Sequence, residues 1–229
     1  MKTYTLSEAQ KRIWYTQIIH NNSPLFNIGG TVKIYGEENI QVLKQAFIDV
    51  LNQNPVLRLE FIEVERNVRQ YINDAVHAPD YIDFCATTDP TGAFLKWCAK
   101  QARTPFAMCE NALYYFAVFR LPDCIGYFIK LHHILLDGWS IQIFTNQIAA
   151  AYNINGNKAV FTEQLSYFDF ITEEAKKEIP ARTEEAISRW IDMFSPLPEL
   201  QTEGFTDIKG ERLSFIIEND VTDKIQQFI

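Results

Sequence analysis

Along the first half of the chain the apolar residues change period several times, and each change marks an element. Ser7-Glu8-Ala9-Gln10 has the form of a capping box, in which the Ser hydroxyl and the Gln amide satisfy each other's free backbone N–H groups, so a helix is predicted over 7–20. Residues 26–35 read as a strand interrupted at Gly29-Gly30. Ile40, Leu43, Phe47, Val50 and Leu51 then recur at helical spacing until Asn54-Pro55 stops them. Residues 56–63 and 68–72 are short β-rich runs joined through Glu65-Arg66-Asn67 into a hairpin, and 81–85 makes a further short strand.

The second half repeats the alternation. A helical stretch over 92–103 is followed by the most apolar run, 112–121, then a Pro122-Asp123 turn and a second run over 124–131, which together predict a long hairpin. Residues 139–152 place Ile141, Phe144, Ile148 and Ala151 on one helical face; further helices are predicted over 164–178 and 182–194, a strand over 213–217 and a final helix over 221–229. Strands interleaved with helices indicate an α/β architecture in which helices pack on a mixed sheet to bury its apolar face. The run over 112–121 is about half of the roughly 20 residues that a membrane-crossing helix needs, so it is read as a buried strand and no membrane span is expected.

Composition narrows the classes of function. Of 229 residues 47% are hydrophobic and 22% charged, with 17 Phe and 10 Tyr, which is enough apolar surface to drive a folded core. A net charge of -8 with no concentration of Lys and Arg argues against a nucleic-acid surface. The four cysteines (Cys85, Cys98, Cys109, Cys124) form no Cys-x-x-Cys pair and follow no secretory signal, so a reducing cytoplasm is the natural compartment. The one soft boundary is the Pro- and Glu-rich stretch 195–210, which divides a lobe over 1–200 from a linker and a new beginning over 201–229.

The segment Leu131-His132-His133-Ile134-Leu135-Leu136-Asp137-Gly138-Trp139-Ser140 falls where a buried strand ends and a helix begins, a common place for α/β proteins to hold functional residues. Strand alternation puts His132 and His133 on opposite faces, with His133 on the side of Ile125, Tyr127, Ile129 and Leu131. Imidazole exchanges protons near neutral pH, and an amine must lose a proton as it attacks an ester or thioester carbonyl; His133 is the candidate base. Asp137 could fix the loop through a buried pairing with an Arg, Gly138 would permit close backbone approach, and the helix opening near Trp139 would offer N–H groups to a developing oxyanion, with Ser140 capping that helix. The same residues also admit a packed His-His pair without chemistry, or a metal site on His132, His133 and Asp137, although adjacent histidines point apart and no further ligand is near in sequence.

The motif from His132 to Ser140 resembles the active-site motif of condensation domains in nonribosomal peptide synthetases. Three segments agree with it in order: Leu6-Ser7-Glu8-Ala9-Gln10-Lys11-Arg12-Ile13-Trp14-Tyr15 resembles the family's opening motif, Asn54-Pro55-Val56-Leu57-Arg58-Leu59-Glu60-Phe61 its second, and Tyr167-Phe168-Asp169-Phe170 its fourth. The resemblance implies a chloramphenicol acetyltransferase-like two-layer sandwich, of which this chain is one lobe of two, and a tunnel between the lobes. It implies amide formation, the amine of an acceptor aminoacyl thioester attacking a donor acyl thioester. Both would be carried on phosphopantetheine of donor and acceptor peptidyl carrier domains beside an adenylation domain, with no cofactor bound directly. The isolated lobe is expected to be inactive. By resemblance His133 is the base or amine-positioning group, Asp137 a structural acid and Gly138 part of the site, with His132, Arg58, Trp139 and Ser140 in support. Arg58 is the candidate partner for Asp137.

The second motif departs from the family, which has a His and a Thr where this chain has Asn54 and Leu59. The intact His-His and Asp argue against the Asp-rich heterocyclisation domains and against recruitment domains that lack the second His. An epimerisation domain keeps the motif and is the alternative, with a non-catalytic carrier-docking module and a trimeric coenzyme A acetyltransferase as rivals of other classes. Met1 lies just before the opening motif, and Gln10 to Tyr15 resemble domains that accept a fatty-acyl donor to start a lipopeptide; a cloning boundary at Met1 explains the first of these equally well.

Overall fold

In the computed structural model, which describes residues 2–36, 39–154, 166–176, 181–195 and 221–222, the first helix starts where the capping box places it. Helix α1 is Glu8–Ile19; the Ser7 hydroxyl accepts the Gln10 N–H (3.2 Å) and the Gln10 side-chain oxygen accepts the Ser7 N–H (3.0 Å). Strand β1, Asn27–Ile34, runs through Gly29 and Gly30 without the predicted interruption. Gly29 (φ +150°) lies across from Lys130, and a Cβ there would sit 2.0 Å from the Ile129 carbonyl oxygen. Glycine therefore lets two backbones close on each other rather than breaking the strand.

Helix α2, Ile40–Gln53, is capped by the Asn39 side chain, which accepts the Val42 N–H at 3.0 Å. The strand predicted over 56–63 begins later than expected. Pro55–Arg58 forms a single 3-10 turn, with the Leu57 N–H on the Asn54 carbonyl (3.0 Å), because proline suits a first helical turn and has no N–H for a strand ladder. Strand β2 is Leu59–Val64 and β3 is Asn67–Ile72, paired antiparallel across Glu65 and Arg66. Both turn residues are left-handed (φ 49° and 66°), which matches the twist of a two-residue hairpin. The order then continues as β4 Asp80–Asp83, α3 Pro90–Arg103, β5 Tyr114–Leu121, β6 Cys124–His132, α4 Gly138–Asn153, α5 Tyr167–Lys176 and α6 Ala181–Met193.

The main sheet has the order β1-β6-β5-β4 and is mixed: β6 is antiparallel to both neighbours, while β4 runs parallel to β5 through the α3 crossover. Every residue of β6 is buried, as a strand covered on both faces must be. On one face Ile125, Tyr127, Ile129 and Leu131 meet α2 and α4, and Phe47 sits at the joint, its ring centroid 5.2 Å from those of Phe116 and Tyr127 and 6.0 Å from that of Phe144. On the other face α3 covers Phe84, Phe119 and Cys124 with Phe94, and Trp97 meets Phe128.

By its contacts the chain divides into two units, residues 1–177 and 178–229. Within the first, α5 braces the start of α1: the Tyr167 hydroxyl donates to Ser7 Oγ (3.1 Å) and Phe168 stacks on Tyr4 at 3.8 Å. Within the second, Ile187, Trp190, Ile191 and Phe194 recur at helical spacing and are exposed. The boundary expected at residue 200, the strand over 213–217 and nearly all of the helix over 221–229 lie outside the described residues.

Candidate active site

Strand β6 delivers the two histidines and then ends, so they belong to different structures. His132 is the last strand residue and 1% exposed, its ring flanked by Phe26 (5.9 Å) and Phe106 (6.2 Å). His133 opens a β-turn in which the Leu135 N–H reaches the His132 carbonyl (3.0 Å). Strand parity therefore does not fix the direction of His133, contrary to the alignment expected with Leu131. Three more bonds hold the turn: the His133 N–H to the Phe26 carbonyl (2.8 Å), the Ile134 N–H to His132 Nδ1 (3.2 Å), and Gln10 Nε2 to the Ile134 carbonyl (3.4 Å).

The hydrogen bonds assign the His132 proton. Nδ1 accepts from Ile134, so Nε2 carries the hydrogen and donates to Gln17 Oε1 at 3.1 Å. Burial first, and the neighbouring His133 second, push the His132 pKa down to about 4, which keeps the ring neutral at neutral pH. An imidazole bonded at both nitrogens has no lone pair for a substrate proton. His133, partly exposed, is the member of the pair with access to one.

Asp137 has a different role from the one expected. It is the N-cap of α4: its Oδ1 accepts the Ser140 N–H (2.8 Å) and the Ser140 hydroxyl (2.7 Å). Ser140, expected as the cap, is instead the third helical residue and a donor to it. These donors hold the Asp137 carboxyl below the usual carboxylate range. The expected buried pairing with Arg58 does not form. Arg58 lies in the 3-10 turn and donates to the carbonyls of Leu51 (3.3 Å) and Asn73 (2.9 Å), with Asp74 at 3.8 Å, so it ties α2 to the segment after β3. Asp137→Ala is expected to cost about 1 kcal/mol of stability, as loss of a cap does. Because the folded pKa is depressed, the contribution is complete above the ordinary carboxylate pKa and is lost as pH falls through the folded value. Urea unfolding at pH 7 and at acid pH checks this: the gap between parent and variant should close on acidification.

Gly138 and Trp139 open α4, where N–H groups have no intrahelical carbonyl and the helix dipole is positive. A Cβ at Gly138 would meet no atom within 4 Å, and Trp139 is 78% exposed. Beside them a cavity of about 190 Å³ is bounded by Asn54, Leu57, Leu135, Leu136, Ser140 and Gln147; its walls do not include His133. The structure thus brings His132, His133, Asp137, Gly138, Trp139 and Ser140 together and leaves Arg58 to another task. Among the described residues no group of three or more His, Cys, Asp or Glu side chains could hold a metal ion.

The family model for the condensation domain matches residues 1–229. The chain belongs to the condensation-domain family. Among curated relatives, surfactin synthase subunit 1 of Bacillus subtilis (strain 168) is 26% identical over 86% of this chain and 6% of that protein, and a dimodular nonribosomal peptide synthase of the same strain is 26% identical over 86% and 8%. The starter condensation domain of rhizomide synthetase superposes with a TM-score of 0.75 at 25% identity, covering 87% of this chain and 49% of that one. The first condensation domain of the calcium-dependent antibiotic synthetase, at 21% identity, gives the same TM-score and speaks to the fold alone. The chain thus spans about half the length of these solved condensation domains, in their chloramphenicol acetyltransferase-like fold.

Residues that support the turn at His133 lie on α1 and are not among the expected site residues, although Gln10 and Trp14 fall within the opening motif. Gln10, Trp14 and Gln17 are its buried positions, at i, i+4 and i+7, so one face presents two amides to the core. Gln10 forms a reciprocal amide pair with Gln70 of β3 (2.9 Å each way), which leaves one Gln10 hydrogen for Ile134. The readable signal is polar residues in register with Trp14 on a helix that must bury a face.

Proposed function

We propose that this chain is the first lobe of a condensation domain in which His133 serves amide-bond formation. Condensation domains as a family are amide-forming acyltransferases of nonribosomal peptide synthetases. The observation that carries the reading is the turn at His133: one imidazole sealed and neutral, the next partly exposed on a backbone fixed by four hydrogen bonds, beside the positive end of α4. In the reaction the acceptor amine attacks the donor thioester carbonyl, the C–N bond forms, the C–S bond breaks and the amine proton leaves the nitrogen. His133 accepts or orients that proton, and the opening N–H groups of α4 supply donors to the carbonyl oxygen as charge develops.

Both substrates would be carried on phosphopantetheine of donor and acceptor carrier domains, with the C-terminal lobe forming the other wall of the tunnel and an adenylation domain adjoining. The lobe alone is proposed to be inactive, and the compartment is the cytoplasm; among the described residues no helix is long and apolar enough to cross a membrane. A starter role, taking a fatty-acyl donor, is supported by likeness to the rhizomide starter domain, a mutant of which was solved in complex with C8-CoA. The test is a single-turnover assay of the domain extended through its second lobe, offered a C8-acyl donor or a peptidyl donor with a loaded acceptor carrier. N-acylated product from the C8 donor is expected. Product from the peptidyl donor alone would replace the starter role with elongation, and exchange of the aminoacyl α-hydrogen without amide formation would replace condensation with epimerisation.

A further inference from the structure

We infer that Gln17 is a positioning residue for His133, acting through the proton of His132; its catalytic consequence rests on the acyl-transfer reading above. Gln17 lies on α1, 115 residues before His132 in sequence, and is 1% exposed. Its amide has a single possible orientation. Nε2 donates to the carbonyls of His20 (2.8 Å) and Ser23 (3.1 Å), so both amide hydrogens are engaged and Oε1 is the atom that faces the imidazole.

An acceptor at that point requires a hydrogen on His132 Nε2. Only this tautomer leaves the Nδ1 lone pair for the Ile134 N–H; the other would set Nδ1–H against that N–H, two donors in a buried space. The Gln17 oxygen thus selects the ring proton, the ring holds the Ile134 N–H, and that bond shapes the turn on which His133 stands. Gln10, two helical turns earlier on the same face, holds the carbonyl of the same residue, Ile134. The end of α1, the approach to β1 through Phe26 and the motif turn therefore share one hydrogen-bond chain.

Glutamate at position 17 would keep an acceptor toward Nε2, lose the two N–H donors to His20 and Ser23, and add a charge, and at the imidazole it is the charge that matters. A carboxylate facing Nε2 would favour the imidazolium, whose Nδ1–H cannot accept from Ile134. Of the other groups about the ring, Phe26 and Phe106 are apolar, and two can offset part of the carboxylate's effect: His133, next in the chain, and Lys130, which lies over the Phe106 ring at 4.3 Å. Both of the last two, when charged, oppose a proton on His132.

The experiment compares Gln17→Glu and Gln17→Leu with the parent in two readouts: imidazole nitrogen NMR of this chain as a function of pH, and the pH–rate profile of the condensation domain that contains it. In the parent, His132 should hold the Nε2–H form throughout the neutral range. Gln17→Glu should raise the His132 pKa and move the Ile134 and His133 amide signals as the ring protonates. Its rate should be highest at alkaline pH, below the parent's because the His20 and Ser23 carbonyls lose their donors, and fall further as pH drops through the raised value. Gln17→Leu should lose up to about 100-fold in kcat at every pH with the carrier KM unchanged, the size of loss a misplaced group gives. A parent-like pH profile and parent-like His132 signals in a folded Gln17→Glu domain would overturn the inference, and if neither variant folds the parent spectra still test it, since a His132 ring protonated at Nδ1 rather than Nε2 at neutral pH would overturn it as well. A parent domain that forms no amide would instead remove the acyl-transfer reading, leaving the spectra to decide whether Gln17 sets the turn.

Discussion

His133→Ala is expected to lower single-turnover amide formation by about 10²–10⁴-fold, the range over which a positioned acid or base contributes, without unfolding the lobe. The second half of that expectation follows from where the residue stands. The four bonds that hold the turn use backbone atoms of His133, Ile134 and Leu135 and the ring of His132; the His133 side chain takes part in none of them. Removing a partly exposed ring from such a turn leaves no buried donor or acceptor unpaired. The measurement is rapid-quench formation of the amide by the two-lobed domain with both carriers loaded, alongside circular dichroism and urea unfolding of parent and variant. Parent-like product from a folded variant would remove His133 from the chemistry. Loss of product with a shifted unfolding midpoint would point to a structural role instead.

The elements are largely legible in the sequence because local chemistry sets them. The capping box at Ser7, the Asn54-Pro55 stop, and the two apolar runs joined at Pro122-Asp123 correspond to α1, the end of α2 and the β5–β6 hairpin. Where a tertiary contact decides, sequence and structure part. Gly29 resembles a break until β6 is placed beside it, with the Ile129 carbonyl occupying the space of a side chain. Resemblance pairs Arg58 with Asp137, but a 3-10 turn carries its guanidinium to the end of α2 and to Asn73. For Asp137 the deciding feature is local and readable, since an Asp three residues before a Ser at a helix start is a cap signal. The candidate site is legible as a motif and not as a mechanism: the neutrality of His132 rests on burial between Phe26 and Phe106 and on the neighbouring His133, and its tautomer on the contact with Gln17, which no spacing announces.

Phe47→Ala should have the largest effect on stability, about 3–5 kcal/mol, as truncation of a fully buried aromatic ring does. Phe47 is 0% exposed and meets the rings of Phe116, Tyr127 and Phe144, so it joins α2, both central strands and α4 in one contact. No smaller side chain at 47 spans that space, and neighbours fixed in a sheet collapse only partly into the cavity. Against a total stability of roughly 5–15 kcal/mol the loss is severe. Urea unfolding should show a lower midpoint at unchanged slope, and a loss under about 1 kcal/mol would mean that α2 contributes little to the core. The consequence reaches the active site by a definite path. Phe144 is on α4, six residues after Gly138, and packs against Phe47 and Phe116, so the helix whose first N–H groups are proposed to serve the reacting carbonyl is seated by this cluster. A folded Phe47→Ala variant, studied well below its midpoint, should therefore also lose rate, and second-site changes that refill the cavity should restore stability and rate together.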